Sequence, residues 1–322
     1  MKTFLGLDVG SISTNLVLID EKNQVLSSLY LRTEGNPIKA IQQGLKELKE
    51  QVEQKKANVE IAGVGTTGSA RYLAGVITGA DLVKNEITAH AKGASFFIPD
   101  VRTIIEIGGQ DSKIIILENG VVVDFAMNLL CASGTGSFLD AQANRLKVPV
   151  VKFGKLALKS KNPTTIASRC TIFAESDMIH KQQIGHKTED IVAGLCQGMA
   201  RNFLNNVAKG KNIKPPIVFQ GGVSENLGMR KAFEEALDEK IIVPPYNTVM
   251  GAFGVALLIK KIAPQKPKFL GFEVSDRDIK CTSFQCNGCP NRCEVIEARI
   301  DGKIVARWGD RCGKWSNLSM NI

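Results

Sequence analysis

Two short segments of the chain each place one cysteine among small and hydroxyl-bearing residues. Cys131 opens the run Cys-Ala-Ser-Gly-Thr-Gly, and Cys170 stands in the run Arg-Cys-Thr-Ile-Phe-Ala-Glu-Ser. An iron–sulfur cube is usually held by four thiolates, whereas these segments supply two per chain. A homodimer would supply four, so we expect Cys131 and Cys170 of two subunits to hold one shared [4Fe-4S] cluster. The alternative is that both thiols are small buried hydrophobic groups.

A strand–turn–strand pattern occurs twice in the chain, about 100 residues apart. Residues 3–9 are predicted to form a strand that ends in the polar turn 8–14, and residues 103–107 a strand that ends in the polar turn 108–112. This internal repeat predicts an α/β fold of two similar domains with a cleft between them. Amides exposed in such turns bind phosphate oxygens, so the two turns predict a nucleotide site rather than plain hairpins.

The turns and their surroundings hold the candidate nucleotide-site residues. The carboxylates of Asp8 and Asp111 would hold a hydrated Mg²⁺ or orient the attacking water. A third glycine loop begins at Gly221, after a buried strand, and lets a flat base approach the backbone. The candidate catalytic residues are Asp8, Gln110 and Asp111. The candidate ATP-binding residues are Gly10, Ser11, Ser13, Thr14, Gly108, Gly109, Ser133, Gly134, Thr135, Gly136, Glu175, Gly221, Gly222, Val223 and Asn226.

A further glycine motif at residues 63–68 matches the G-x-G-x-x-G pattern of dinucleotide-binding folds. That pattern also needs a strand ending in an acidic residue about 20 residues later. Asp81 and Glu86 instead fall in an apparent helix. We therefore predict that residues 63–68 form a loop at the rim of the cleft.

The C-terminal residues 269–322 are set off by prolines and are predicted to form a separate metal-binding tail. Its cysteines are Cys281, Cys286, Cys289, Cys293 and Cys312. Their spacing suits either Zn²⁺ or an iron–sulfur cluster. The predicted divisions are ATPase subdomains at 1–98 and 99–268, with the last helix of the second packing back on the first, and then the tail.

Composition excludes several other classes of protein. The formal net charge is +9, but the basic clusters lack interleaved aromatic residues, so nucleic acid is not an expected partner. No apolar run is long enough to span a membrane, and the N-terminus does not resemble a signal peptide. We expect a cytoplasmic protein whose thiols stay reduced. Cys196 falls on an amphipathic helix and is predicted to be a core residue.

Together these motifs resemble those of the activator (archerase) ATPases, which activate 2-hydroxyacyl-CoA dehydratases and benzoyl-CoA reductases. The resemblance rests on residues 7–11, 106–112 and 221–223 and on the two cysteine segments, and it covers residues 1 to about 262. It implies an acetate kinase–Hsp70–actin fold and a homodimer with one bridging cluster. It also implies that ATP hydrolysis drives an electron from ferredoxin or flavodoxin to a partner iron–sulfur enzyme. Residues 133–136 would then link the nucleotide to the cluster.

The minimal members of that group lack a cysteine-rich tail, which leaves the partner enzyme open. A dehydratase is one candidate, and a double-cubane-cluster protein is another. Two other function classes stay open. One is a small-molecule kinase of the same fold, which needs a second substrate pocket and no cluster. The other is a nucleotide-responsive regulator whose tail binds zinc.

Overall fold

The chain folds into two compact units in a computed structural model. The structure describes residues 1–55, 59–128, 132–168 and 170–316. Unit 1 combines Met1–Ala89 with Gly251–Ile322, and unit 2 is His90–Met250. Unit 1 is therefore assembled from both ends of the chain and unit 2 from its middle. None of the helices in the described ranges is both long and apolar enough to cross a membrane.

Unit 1 is built on a five-stranded mixed sheet. Its strands are β1 (Lys2–Val9), β2 (Ser13–Asp20), β3 (Val25–Arg32), β4 (Glu60–Thr67) and β5 (Leu82–Val83). Their order is β3-β2-β1-β4-β5, with β1 antiparallel to β2 and parallel to β4. The helices α1 (Pro37–Gln54) and α2 (Arg71–Thr78) bury apolar side chains against this sheet. Helix α1 begins at Pro37 because the Asn36 side chain caps its first turn and proline suits the first helical position.

Unit 2 repeats the sheet of unit 1. Its strands are β6 (Thr103–Ile107), β7 (Ser112–Glu118), β8 (Val121–Asn128), β9 (Ile217–Gln220) and β10 (Ile241–Ile242). Their order is β10-β9-β6-β7-β8, with β6 antiparallel to β7 and parallel to β9. The first strand of each repeat is thus central, and the predicted duplication is confirmed.

Helices supply the rest of the core of unit 2. They are α3 (Glu86–Phe97), which begins in unit 1, α4 (Gly136–Arg145), α5 (Val150–Ala157), α6 (Thr171–Gln183), α7 (Thr188–Asn206) and α8 (Leu227–Leu237). Helix α7 is buried along most of its length and packs on α5, α6 and α8. It therefore forms the centre of this helical layer.

The last long helix, α9 (Met250–Ile262), belongs to unit 1 except for its first residue. A Cβ on Gly6 of β1 would collide with the carbonyl oxygen of Ala252, so strand and helix backbones touch. This contact is consistent with the assignment of α9 to unit 1, and the two units divide at 89/90 and 250/251. The sequence placed the subdomain boundaries at 98/99 and 268/269, and those boundaries stay predictions.

The glycine motif at residues 63–68 is not a loop, as the sequence predicted, but the greater part of β4. Strand β4 runs through Gly63 and Gly65 to Thr67. A Cβ on Gly63 would lie 2.9 Å from Ile259 Cγ1, and one on Gly65 would lie 2.9 Å from the Val255 carbonyl oxygen. The glycines therefore let α9 pack closely on the sheet. Asp81 precedes β5 and accepts a hydrogen bond from Val64 N at 3.0 Å, so it does not lie in a helix.

The cysteine-rich tail packs onto unit 1 and is not separate from it. It forms a three-stranded antiparallel sheet of β11 (Ile279–Gln285), β12 (Glu294–Ile300) and β13 (Lys303–Trp308). Val274, Ile279 and Ile300 are buried in the same apolar cluster as the β1 and α1 side chains. Leu270 N donates to Thr78 O at 3.1 Å, which fixes the tail to the end of α2.

Candidate functional site

In unit 1, hydrogen bonds within the protein close the turn between β1 and β2. Gly10 N donates to Ser13 O at 2.8 Å, and Thr33 Oγ1 donates to Gly10 O at 2.9 Å. Thr14 is buried with its hydroxyl 3.0 Å from Thr33 Oγ1, so it supports the turn through Thr33. Ser11 is exposed, whereas Gly10 and Ser13 are partly exposed. These three residues are accessible on the turn.

Asp8 lies at the end of β1 between two buried polar side chains. It stands opposite Asn15 of β2 and Thr67 of β4, and directly opposite residues share one face of a sheet. Within the described part of the chain, the buried Asn15 Oδ1 and Thr67 Oγ1 have no hydrogen-bond partner. A Cβ on Gly68 would lie 2.6 Å from Asp8 Oδ1, so glycine leaves room for the carboxylate. This row of oxygen atoms suits a water or a hydrated cation.

In unit 2, the turn after β6 is tied to a buried ion pair. Gly108 N donates to Asp111 O at 3.0 Å and closes the turn, and Gln110 is exposed on it. Lys113 Nζ lies 2.9 Å from Asp111 Oδ2 and 2.9 Å from Glu106 Oε2. Burial by itself lowers the pKa of Lys113, but the carboxylates of Glu106 and Asp111 raise it well above its ordinary value. Lys113 is therefore a charged group that holds Asp111 to β6.

A buried polar chain continues from this ion pair. Gln220 of β9 stands opposite Glu106, and its Nε2 lies 2.9 Å from His90 Nδ1. Burial, helped by the charge of Lys113, lowers the pKa of His90 to about 3, so this imidazole is neutral. A Cβ on Gly221 would lie 2.7 Å from Glu106 Oε1. Glu106 thus underlies both the turn at 108–111 and the loop that begins at Gly221.

The start of α4 is hydrogen-bonded to the same turn. Gly136 N donates to Gly108 O at 2.8 Å, and Ser137 N donates to Gly109 O at 2.9 Å. Ser137 Oγ also donates to Gly109 O at 2.6 Å. A Cβ on Gly136 would lie 3.0 Å from Gly108 O and 3.2 Å from Val223 Cγ2. Three predicted nucleotide-site segments of unit 2 therefore converge here.

The loop that begins at Gly221 is held by hydrogen bonds of its own. Gly221 has φ +87° and donates its N–H to Asn247 O at 2.9 Å. Asn247 Nδ2 in turn donates to Ser224 Oγ at 2.7 Å. Asn226 caps α8 by accepting from two backbone N–H groups, so its side chain is already engaged. Gly222 is the exposed glycine of the loop.

Three predicted residues before α4 are buried: Ser133, Gly134 and Thr135. Ala132–Gly134 form one turn of 3-10 helix, and Thr135 is the N-cap residue of α4.

Cys196 is buried in α7, and burial raises the pKa of its thiol to about 12. A thiol in that environment stays protonated and packs as part of the core.

Of the two core cysteines predicted as ligands, Cys131 lies outside the described residues. Cys170 is a partly exposed free thiol and the N-cap residue of α6. The first turn of α6 exposes 71% of Ile172 and 68% of Phe173. Glu175 forms an ion pair with Arg145 at the end of α4, so its carboxylate is engaged with that guanidinium.

Three of the tail cysteines, Cys286, Cys289 and Cys293, lie in the connection between β11 and β12, whereas Cys281 lies in β11 and Cys312 follows β13. Cys286 N donates to Cys293 O at 2.8 Å, and Trp315 Nε1 donates to Cys286 Sγ at 3.3 Å. The bond from Trp315, with that from the Gly288 N–H, lowers the pKa of the Cys286 thiol. The three exposed tail cysteines are Cys281, Cys289 and Cys312. Across the described ranges, no three His, Cys, Asp or Glu side chains are grouped closely enough to hold a metal ion.

Sequence reasoning missed the residues that support the turns from behind, chiefly Glu106, Lys113, Asn247 and Thr33. A signal existed for the first two. Each is a charged residue inside an otherwise apolar strand, and charged side chains are seldom buried unless they are paired. Asn247 and Thr33 carry no comparable signal, because polar residues in connecting segments are common.

The repeated sheets, each with a polar turn after its first strand, define an actin-like ATPase. Two solved structures share the fold. The activator of 2-hydroxyisocaproyl-CoA dehydratase from Clostridium difficile with bound ADPNP has a TM-score of 0.72 and 34% identity, over 81% of this chain and 95% of that one. Component A of the Acidaminococcus fermentans (R)-2-hydroxyglutaryl-CoA dehydratase has a TM-score of 0.73 and 35% identity, over 82% and 99%.

The chain belongs to the BadF/BadG/BcrA/BcrD ATPase family, which it matches over residues 5–259. It is 37% identical over 260 residues to the (R)-2-hydroxyglutaryl-CoA dehydratase activating ATPase of Acidaminococcus fermentans, which covers 80% of this chain and 97% of that protein. The predicted family and fold class are confirmed. The family match ends before residue 269, so the cysteine-rich tail is outside it.

Proposed function

We propose that this protein is an ATP-dependent activator that delivers low-potential electrons to a partner iron–sulfur enzyme. Two copies of the chain would share one [4Fe-4S] cluster through Cys131 and Cys170. ATP hydrolysis would drive the conformational change, and ferredoxin or flavodoxin would supply the electron. The observation that carries the proposal is the hydrogen bonding between the turn at 108–111 and the start of α4, because α4 begins shortly after Cys131.

Several features support ATP as the nucleotide. The similar activator from Clostridium difficile was solved with ADPNP, an ATP analogue. Both units of this chain carry a polar turn after their first strand, and in unit 2 three glycine-containing segments converge. The N–H groups of Gly108, Gly136 and Gly221 are used within the protein, whereas Gly109, Gln110 and Gly222 are accessible. These accessible residues suit the binding of phosphate oxygens. The exposed Gln110 and partly exposed Asp111 are candidates to position the attacking water.

The local chemistry at Cys170 fits a cluster ligand. Its thiol is partly exposed and stands at the N-terminus of α6, whose unpaired N–H groups and dipole favour a negatively charged group. Ile172 and Phe173 expose large apolar surfaces beside it, which a second copy of the chain would cover. When bound, the cluster would supply a one-electron carrier. Cys131 would provide the other ligand of each chain.

The side-chain oxygens of Asp8, Asn15 and Thr67 fit a hydrated Mg²⁺. Carboxylate, amide and hydroxyl oxygens from Asp8, Asn15 and Thr67 stand side by side, and two of them lack a hydrogen-bond partner within the described residues. Mg²⁺ keeps several of its waters and is usually bound through one or two carboxylates plus substrate phosphates. These residues would hold the waters of the ion, and the ion would neutralise phosphate charge.

The tail is proposed as a second metal site, with Zn²⁺ or an iron–sulfur cluster as its occupant. The backbone hydrogen bond between Cys286 and Cys293 brings two of the five cysteines together at the hairpin. The indole N–H of Trp315 and the Gly288 N–H favour the thiolate form of Cys286, which is the form that binds metal. The family match ends before the tail. The tail would therefore be the part of this chain that selects a partner enzyme different from the partners of the activators named above.

Anaerobic purification of the full chain tests the proposal. Iron, sulfide and zinc are measured for the wild type, Cys131→Ser, Cys170→Ser and a tail variant with Cys286→Ser. We expect about four irons per dimer from the core. This iron should be lost in the first two variants and retained in the third. Cys196→Ala, at a buried thiol of the same unit, is the matched control and should keep its iron.

A wild-type chain that is colourless and contains only zinc would refute the activator and favour a regulator with a zinc tail. ATP turnover identifies the reaction class. Turnover that rises with a reduced iron–sulfur partner supports the activator, whereas turnover that rises only with a sugar or small acid supports a kinase.

A further inference from the structure

Helix α7 lies against the segment that leads to Cys170. Gly194, Gly198 and Asn202 recur every four residues and therefore share one side of the helix. A Cβ on Gly194 would collide with the backbone of segment 164–168, and one on Gly198 would lie 3.5 Å from a carbonyl oxygen of the same segment. The two glycines thus bring this part of the chain onto the helix surface, and Asn202 stands next along the same face.

Asn202 contacts the segments of both predicted cluster ligands. Its Nδ2 donates to the carbonyl oxygen of Ser168, two positions before Cys170. Its Oδ1 is buried and has no hydrogen-bond partner among the residues that the structure describes. This oxygen lies 3.3 Å from the Cβ position of Gly134, three positions after Cys131.

Ser112, which follows the turn at 108–111, also lies close to Gly134. This residue follows Asp111 directly and is fully buried. Its Oγ also lacks a hydrogen-bond partner in the described ranges and lies 3.7 Å from the Cβ position of Gly134. Two unpaired polar groups, Ser112 Oγ and Asn202 Oδ1, therefore lie against one glycine.

Unpaired buried polar groups are costly, and a hydroxyl donor and an amide oxygen acceptor are complementary. A Ser112 hydroxyl that donated to Asn202 Oδ1 would pair both atoms. The position of Gly134 controls whether they meet. Gly134 is in turn connected to the turn at 108–111, because the start of α4 donates hydrogen bonds to the carbonyl oxygens of Gly108 and Gly109. A shift of the turn at 108–111 that moved Gly134 would let the two atoms meet, and the unpaired arrangement seen here would become a paired one.

We infer that Asn202 is a positioning residue that couples the nucleotide-dependent state of the turn at 108–111 to the segment ending at Cys170. Ser112 is its partner in the coupled state. This inference rests on the proposed function, in which the turn binds ATP phosphates and Cys170 binds the cluster. It adds the internal connection between the two sites, which runs through Gly134, Asn202 and Ser168.

The test measures the reactivity of Cys170 in the cluster-free full chain, so it does not depend on a loaded cluster. Iodoacetamide modification of Cys170 is followed by mass spectrometry with and without Mg²⁺ and ADPNP. In the wild type, ADPNP should change the modification rate about five-fold or more, the lower end of typical coupling between sites. The change should disappear in Asn202→Ala and in Ser112→Ala, and ADPNP binding is measured in parallel.

Asn205→Ala and Ser112→Ala separate coupling from a purely structural effect. Asn205→Ala is the matched control, because Asn205 is exposed on the same helix. It should keep the wild-type response. Ser112→Ala removes a hydroxyl that has no partner in the described structure, so a purely structural role predicts no change. Ser112→Ala also keeps the test decisive if Asn202→Ala does not fold.

A wild type that binds ADPNP without any change at Cys170 would overturn the inference. So would a normal response in Ser112→Ala or in a folded Asn202→Ala. Failure of the proposed function is recognised separately. A chain with the expected Cys170 response but no iron after anaerobic purification would keep the coupling and reject the cluster.

Discussion

Substitution of Lys113 by Met should destabilise unit 2 strongly. The side chains of Lys113 and Glu106 are each only 5% exposed and lie 2.9 Å apart. Removing the lysine takes the opposite charge away from the buried Glu106 carboxylate, and breaking a buried ion pair in this way costs about 3–5 kcal/mol. Asp111 is 36% exposed, so losing its contact with Lys113 adds little, about 0–1 kcal/mol. The loss is therefore dominated by Glu106.

Hydrogen exchange of the β6 and β7 amides is the appropriate assay. The two tryptophans, Trp308 and Trp315, are in the tail on unit 1, so their fluorescence would not report on unit 2. A loss of about 3–5 kcal/mol corresponds to exchange through global opening that is roughly 10²–10⁴-fold faster.

The control for Lys113→Met is Lys211→Met, which breaks the more exposed ion pair of Lys211 with Asp124 in the same unit. The Asp124 side chain of that pair is exposed to solvent, so the pair should contribute little to the free energy of unfolding. The double variant Lys113→Met with Glu106→Leu should recover most of the stability, because apolar replacement of a whole buried pair is often neutral. If Lys113→Met loses no more than Lys211→Met, the buried ion pair does not support the turn and the reasoning is wrong.

Two further predictions concern His90 and Gly221. Burial lowers the pKa of His90 from its ordinary value of 6.5 to about 3. As the pH falls, the imidazole of His90 therefore takes up a proton in the unfolded chain before it does so in the folded chain. The stability from neutral His90 is complete above pH 6.5 and is lost as the pH falls toward 3. The free energy of unfolding should therefore drop by about 2 kcal/mol between pH 7 and pH 5, measured by denaturation in wild type and His90→Gln. Gly221→Ala should abolish nucleotide binding in a titration with ADPNP, since its Cβ would meet Glu106 and Ile107. An L-residue at the Gly221 backbone angles, φ 87° and ψ 169°, is also strained by about 1–3 kcal/mol.

Each of these two has a control. His90→Gln should lack that part of the pH dependence, and equal slopes in both proteins would contradict the assignment. Gly210 also has a positive φ, +74°, but within the described structure no atom lies within 4 Å of its Cβ position. Gly210→Ala thus measures backbone strain alone and should still bind ADPNP. Equal loss of binding in both variants would show that contact with Glu106 is not the cause.

The sequence predicted those elements whose signal is local. Apolar spacing and Pro37 predict a helix from Pro37 to about Gln54, and the small-residue-rich run before Pro264 predicts one from Met250 to Ile262. Both predictions agree with the bounds of α1 and α9. The repeat of β1 and β6 was visible because two strands and a polar turn recur in the same order.

What the sequence did not reveal depends on partners that are remote along the chain. Gly63 lies in a strand because α9, about 200 residues later, packs against it. The pairing of Glu106 with Lys113 depends on the register of β6 and β7. Thr14 and Asn226 are polar residues near glycine turns, as phosphate ligands would be, yet their side chains bond to Thr33 and to the start of α8. Residue type alone does not separate these roles.

The discontinuous make-up of unit 1 has a consequence for the order of folding during synthesis. Gly6 of β1 packs against Ala252, and about 160 residues of unit 2 lie between the two halves of unit 1. At about 5–20 residues per second, the first sheet waits on the order of 8–30 s for the helix that covers it. Unit 2 emerges whole and can fold at once. The N-terminal strands are therefore the part of the nascent chain that is exposed to aggregation and chaperone binding for longest.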